Sequence, residues 1–299
     1  MIYTLGESLL DIIISSMDNT VVRPGGAMLN AAISLGRSGL EVSLISELGD
    51  DDTAKLITSF LNDNNVNTDF VKLYSKNNTS LALAFLDETK KPRYTFIKNY
   101  PNDRDLGNIP PFNANDILLF GSIYSLDVNI RKNVLSIINT AQKNNTTIIY
   151  DPNIRNAHHL ANPLLLEAVF QNIKSANIIK GSDEDFTNIF GKDDVEIQIT
   201  ELRKLNPDAL IIITLGADGI IANYHKKNIK LPAIETKVVS TIGAGDATNA
   251  GMIYAISSMK DWNSENIPMD YVKRIIQSGL KFSSKVCASM DNYIPMINN

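Results

Sequence analysis

Of the 299 residues only one is cysteine, Cys287, and only three are histidine. A single thiol excludes an internal disulfide framework and suits a reducing compartment. His158 and His159 stand side by side with no third ligand in their neighbourhood, so they read as an exposed loop pair and not as a zinc site. Neither charge sign dominates: the formal net charge is −5, with acids and bases interspersed, which argues against nucleic acid as the main partner. Long apolar runs are missing too. The opening stretch MIYTLGESLLDIII has no basic leader and carries Glu7 and Asp11 inside its apolar residues, so neither a signal peptide nor a membrane-spanning helix is expected and the chain reads as cytoplasmic. No repeat, low-complexity linker or shift in composition divides it, and one domain over residues 1–299 is expected.

What is present is a chain with 44% hydrophobic and 20% charged residues, ample for a large α/β core. From EVSLISELG onward, short apolar runs alternate with stretches of helical period, as βα units around a largely parallel sheet do. DILLFGS, TTIIYDPN, SANIIKGS and ALIIITLG read as buried strands that end in small or polar residues, where such sheets meet their ligands. VNIRKNVLSIINTAQKN has the three- and four-residue apolar spacing of a crossover helix. Two segments break the alternation. DIIISSMDNTVV and TSLALAFLDETKKPRYTFIK read as strands and a hairpin with no helix between them, and predict a small separate sheet, a lid formed by about residues 11–23 and 70–101. An antiparallel extension of the main sheet is the alternative.

The densest chemistry lies in STIGAGDATNAG, Ser240 to Gly251. Gly243 and Gly245 allow a tight turn, and the helix expected after them aims its free N–H groups and positive end at that turn, which attracts an anion. The arrangement is not a dinucleotide fingerprint, because the third glycine is displaced to Gly251, nor a Walker loop, because no Lys-Ser or Lys-Thr follows. An anion hole with a carboxylate, Asp246, at its edge is what direct phosphoryl transfer to a hydroxyl requires. Backbone N–H groups hold the charge on the moving phosphoryl group while the carboxylate accepts the hydroxyl proton. A plain helix N-cap is the bland alternative.

This turn, with Gly243-Ala244-Gly245-Asp246, resembles the C-terminal signature of the ribokinase-like (PfkB) carbohydrate kinase family. Five further stretches fall in that family's order: GE at Gly6–Glu7 with Asp11 and GGAMLNAA from Gly25, then FGSIY from Phe120, DPNIR from Asp151, KGSDED from Lys180 and TLGADG from Thr214. The resemblance covers nearly the whole chain. It implies an α/β fold, a ribokinase-like three-layer sandwich with a central mostly parallel sheet and a small β-sheet lid.

The resemblance also implies roles. Asp11, Gly25, Gly26 and Asn30 would hold the sugar, short polar groups and exposed backbone being suited to vicinal hydroxyls. Met28 stands where many members have proline. Phe96 would close over the sugar from the lid, with core packing as its alternative. Arg155 sits just past a strand end, where it would reach a phosphate or an acidic substrate group, with a surface salt bridge as the alternative. Lys180, Ser182 and Asp185 match the segment that organises nucleotide phosphates and Mg2+ through water, Asp185 being the metal candidate. An acid-rich helix N-terminus would explain the same residues. Thr214, Gly216 and Gly219 would shape the ATP pocket. The Asp that often precedes T-x-G-A-G-D is replaced by Ser240 and the late SMDNYIP lacks the usual glycine, which argues against activation by a monovalent cation.

The expected activity is ATP-dependent transfer of the γ-phosphate to a primary hydroxyl of a monosaccharide, with fructokinases closest in motif. Kinases of 2-keto-3-deoxygluconate, ribose or nucleosides are the alternatives within the fold, and a catalytically idle sugar-binding regulator is the alternative outside catalysis. A homodimer through the lid edge is expected. A nicotinamide-dependent enzyme is disfavoured by the misplaced glycines.

Overall fold

A computed structural model describes residues 1–86, 92–154 and 156–296. The chain runs β1 (Ile2–Leu5), β2 (Leu9–Ser16), β3 (Asn19–Gly25), α1 (Ala27–Arg37), β4 (Val42–Gly49), α2 (Asp52–Asp63), β5 (Val66–Asn67), β6 (Val71–Tyr74), β7 (Leu81–Leu86), β8 (Pro92–Ile97) and β9 (Ile117–Gly121). It continues through α3 (Arg131–Lys143), β10 (Thr147–Asp151), α4 (Pro163–Ser175), β11 (Ile178–Ser182), α5 (Asp183–Phe190), α6 (Val195–Leu205) and β12 (Leu210–Thr214). The last elements are β13 (Ile220–Tyr224), β14 (Lys227–Leu231), α7 (Ala244–Ser257) and α8 (Met269–Cys287).

Ten strands form the main sheet, ordered β14-β13-β12-β11-β10-β9-β1-β4-β5, with β6 paired to β4. All pairings are parallel except β12–β13 and β13–β14. The buried strands carry apolar side chains on both faces because helices cover both. In β9, Ile117 and Leu119 face one core while Leu118 and Phe120 face the other, and β12 splits Leu210 and Ile212 from Ile211 and Ile213 in the same way. The first core is closed by α1, α2, α7 and α8 and the second by α3, α4, α5 and α6, which makes the three layers.

A separate four-stranded sheet has the order β3-β2-β7-β8. Each hairpin, β2–β3 and β7–β8, is antiparallel, and β2 and β7 join them in parallel. It is not an extension of the main sheet. Of the 70–101 span expected in it, Val71–Tyr74 belongs elsewhere, pairing in parallel with Ser46–Gly49 of β4. Four residues carry too little pattern to name their sheet, and the choice is made by the β4 edge lying open beside them. The small sheet grows from the carboxyl end of a central strand of the large one: β1 passes through Gly6–Ser8 straight into β2, and β3 hands over at Gly25 to α1.

Candidate active site

The carboxyl ends of β10, β11 and β12 open on the N-terminus of α7, and several of the candidate side chains collect there. Gly243 caps α7 in the left-handed region at φ 81°, and a methyl group on it would stand 2.3 Å from the Asn292 carbonyl oxygen, so only glycine fits. A glycine cap offers no side-chain acceptor to the first-turn N–H groups, which helix geometry points out of the end of α7. Asp246, in that first turn, is only 4% exposed. Asn30 donates from Nδ2 to Asp246 Oδ2 at 2.9 Å, while Asn30 Oδ1 has no partner among the described residues. That bond ties α1 to α7 and joins two predicted sites into one.

Lys180 lies beneath the glycine turn: a methyl group on Gly245 would stand 3.2 Å from its Nζ. Its ammonium pairs with Asp151 Oδ2 at 2.8 Å, and the same oxygen accepts from Asn249 Nδ2 at 2.6 Å. Burial alone would favour the neutral amine, but Asp151, Asp185 and Asp246 together hold the Lys180 pKa above its ordinary value. Asp151 Oδ1 and Asn249 Oδ1 are buried without a partner among the described residues. Ser182 and Asp185 form a reciprocal cap at the start of α5: Asp185 Oδ2 accepts from the Ser182 backbone and hydroxyl, and Ser182 Oγ accepts from the Asp185 N–H. Burial first, and the Asp151 charge second, push the Asp185 carboxyl up against the pull of those hydrogen bonds.

Two cavities meet at this junction. A polar one of about 240 Å³ is lined by Asp151, Lys180, Ser182, Asp185, Gly243 and Asp246. An apolar one of about 270 Å³ includes Gly216, Ala233, Ile234, Val238, Leu280 and Cys287. They share Thr214, Thr241 and Gly245, so a polyanion with an apolar head could lie across both. Gly219, at φ 94°, is required where β13 leaves the turn, because a methyl there would stand 2.0 Å from the Leu231 carbonyl oxygen. A larger cavity of about 460 Å³, by Met1, Lys260 and Trp262, lies at the opposite end of the strands, away from every residue described above.

Asn30, the partner of Asp246, lies in the first turn of α1 with its N–H on the Gly26 carbonyl, where the small sheet hands over to that helix. Asp11 Oδ2 occupies the space a methyl on Gly25 would take, 2.1 Å from that position, and a methyl on Gly26, at φ 130°, would stand 2.1 Å from the Glu7 carbonyl oxygen. Met28 is buried against Gly6. The register aligns Arg23, Asp11, Ala82 and Phe96 across all four strands, so Phe96 shares the face of Asp11 and is 55% exposed. Arg155 falls outside the described residues. Among those described, no group of three His, Cys, Asp or Glu side chains could hold a metal ion directly, and no helix is long and apolar enough to cross a membrane.

Several polar groups here escaped the sequence reading. Asp151 and Asn249 had weak signals, as the head of DPNIR and as the residue one turn beyond Asp246. The cluster behind the small sheet had none: Glu47, fully buried, pairs with Arg104 at 2.6 Å and accepts from Tyr74 and Tyr124, and Arg104 also pairs with Asp127. Burial and the Glu47 charge raise the Tyr124 hydroxyl pKa well above its usual value.

Against known proteins, the pattern of the pfkB family carbohydrate kinases matches residues 5–284, and the chain belongs to that family. It is 26% identical over 267 residues to an aminoimidazole riboside kinase of Salmonella typhimurium, covering 88% of this chain and 82% of that protein. It is also 26% identical over 259 residues to a fructokinase of Klebsiella pneumoniae, covering 86% and 84%. The fold is shared with the Salmonella enterica aminoimidazole riboside kinase in complex with aminoimidazole riboside and an ATP analogue (TM-score 0.86, 22% identity, 99% and 96% of the two chains). A Vibrio cholerae fructokinase bound to fructose, ADP and calcium has a TM-score of 0.87 at 20% identity, with 97% and 94% covered.

Proposed function

We propose that this member of the pfkB carbohydrate kinases transfers the γ-phosphate of ATP to a primary hydroxyl of a monosaccharide, fructose being the first candidate. The observation that carries the reading is the position of Asp246. It is buried at a glycine-capped helix end, beside the joined polar and apolar cavities, and Asn30 links it to the start of α1, where Gly25 packs on Asp11. ATP would lay its base in the apolar cavity and its phosphates in the polar one, against Lys180 and the first-turn N–H groups of α7. Asp11, the Gly25–Gly26 backbone and Asn30 would hold the sugar, with Phe96 closing over it and Arg155 reaching phosphate or substrate.

In the transfer, the acceptor oxygen bonds to the γ-phosphorus, the bridging bond to the β-phosphate breaks, and ADP leaves. Asp246 takes the hydroxyl proton, and the helix end and Lys180 hold the charge spread over the phosphoryl oxygens. Beside the Lys180 ammonium the polar cavity offers carboxylate and hydroxyl oxygens that suit a hydrated magnesium ion: Asp151 Oδ1 is buried without a partner among the described residues, and Asp185 is committed on one oxygen to Ser182, so Asp185 and Ser182 would act through water. Bound there, magnesium would neutralise the nucleotide phosphates.

The test is ADP release by purified protein with ATP and magnesium, across fructose, ribose, 2-keto-3-deoxygluconate, adenosine and a blank without acceptor. Acceptor-dependent release establishes the reaction, and equal release in every well refutes it. A riboside acceptor is the second reading, supported by the equal identity to the aminoimidazole riboside kinase, and aminoimidazole riboside belongs in the panel. We further propose a homodimer through the small sheet. Its edge strands β3 and β8 expose Val21, Val22, Tyr94, Phe96 and Ile97. Light scattering at micromolar concentration should give twice the chain mass, and a monomer mass would remove the proposal.

A further inference from the structure

A fourth cavity, of about 250 Å³, is lined by Glu7, Lys98, Tyr124, Asp127, Asn162 and Leu165 among others. It begins where the expected sugar site ends. The Glu7 carbonyl abuts Gly26, and Lys98 follows Phe96 by two residues, with its Nζ 5.8 Å from that ring. We propose that this cavity is the subsite for the end of the acceptor remote from the phosphorylated hydroxyl, that it takes an uncharged hydroxyl-bearing group, and that Glu7 sets this selectivity. The inference rests on the sugar-kinase reading and narrows it to neutral sugars against sugar acids.

The argument is one of charge pairing. Lys98 is the cation on the cavity wall, and Glu7 Oε1 holds it at 2.7 Å while accepting from Tyr100 at 2.9 Å. The next cation inward, Arg104, is spent on Glu47 and Asp127 and is almost wholly buried. Counting Glu47 and Arg104 behind it, three carboxylates face two cations, and an acceptor carboxylate entering here would meet an excess negative charge and, among the described lining residues, no cation without a carboxylate partner. A hydroxyl group meets the opposite case, since Glu7, Asp127 and Asn162 supply acceptors and the Lys98 ammonium supplies donors. The Lys98 side chain is 45% exposed and Glu7 18%, so the pair can exchange partners with a ligand, which the Glu47–Arg104 pair cannot.

The experiment measures kcat/KM for fructose, ribose, aminoimidazole riboside and 2-keto-3-deoxygluconate in wild type, Glu7→Gln and Lys98→Gln, with melting temperatures for each protein with and without each acceptor. Wild type should prefer its best neutral acceptor over the acid by roughly 100-fold, the scale of one unpaired charge near contact distance. Glu7→Gln frees Lys98 and should narrow that ratio by about tenfold or more, chiefly through KM. Lys98→Gln, a change at a half-exposed side chain that spares the core, should widen it. Preference of wild type for the acid, or a ratio that neither variant moves, overturns the inference and leaves the kinase reading standing. Absence of turnover and of any melting shift with every acceptor overturns both.

Discussion

Replacing Asp246 by Asn removes the proton acceptor with little change of shape. The amide can turn its oxygen toward Asn30 Nδ2, so the 2.9 Å bond between α1 and α7 survives and the fold should tolerate the change. The loss then falls on the transition state: turnover should drop by about 10²–10⁴, the usual worth of a general base, or about 2.7–5.5 kcal/mol of barrier. Binding should move the other way, if at all. Asp246 is one of three anions around Lys180, and neutralising it makes the cavity less repulsive to a nucleotide polyphosphate, so KM for ATP should stay level or fall. A coupled assay of ADP release gives kcat and both KM values, and calorimetry with a non-hydrolysable ATP analogue gives binding directly. Turnover within tenfold of wild type, or a loss carried by KM for ATP with kcat intact, would refute the assignment of Asp246 as base.

Three other perturbations probe the frame around it. Glu47→Gln leaves the buried Arg104 guanidinium with Asp127 as its one carboxylate and removes the charge that accepts from the buried Tyr124 hydroxyl, and should cost about 3–5 kcal/mol of stability, read from urea unfolding. A cost below 1 kcal/mol, by the same scale, would mean that water relieves the cluster. Gly243→Ala forces a side chain into the left-handed region and against the Asn292 carbonyl; about 1–2 kcal/mol from backbone conformation alone should be lost, together with activity, and an active, equally stable variant would contradict the geometry. Asp185 supplies a pH test. Its folded pKa is raised, so the folded chain binds the proton more tightly than the unfolded chain, and its contribution is greatest below the ordinary carboxylate range and declines as pH rises through the raised value. Asp185→Asn lacks that decline, and the stability difference should drift toward the variant as pH rises above about 4, the ordinary carboxylate value; a constant difference refutes it.

The alternation of strand and helix, and the two hairpins that interrupt it, were legible because periodicity is local and the buried strands of a parallel sheet are apolar throughout. Phe96 could be singled out for the same reason, and register then put it on the Asp11 row. Contacts made by distant residues were not legible. Asn30 and Asp246 meet across 216 positions, and nothing near either one announces the other. Arg104 sits in PNDRDL, a stretch with the composition of an exposed turn, yet it is buried because Glu47, Asp127 and Tyr124 close around it. At Ser182 and Asp185 the sequence allowed a helix cap or a phosphate-side role. The cap is formed, and its buried carboxyl still faces the polar cavity, so one reading does not displace the other.

The order in which the chain visits the site has an evolutionary consequence. The small sheet and the start of α1, which carry the proposed sugar-holding residues from Glu7 to Phe96, precede β9, whereas Tyr124, Asp127 and Asn162 of the remote subsite follow it and the polar and apolar cavities are lined by residues from Asp151 onward. A genetic crossover within the loop between β8 and β9 would therefore exchange the small-sheet part of the proposed acceptor site while inheriting the polar and apolar cavities whole. The Asn30–Asp246 bond is the seam that any such recombinant must keep. Lineages of this architecture can thus change what they phosphorylate without relearning how.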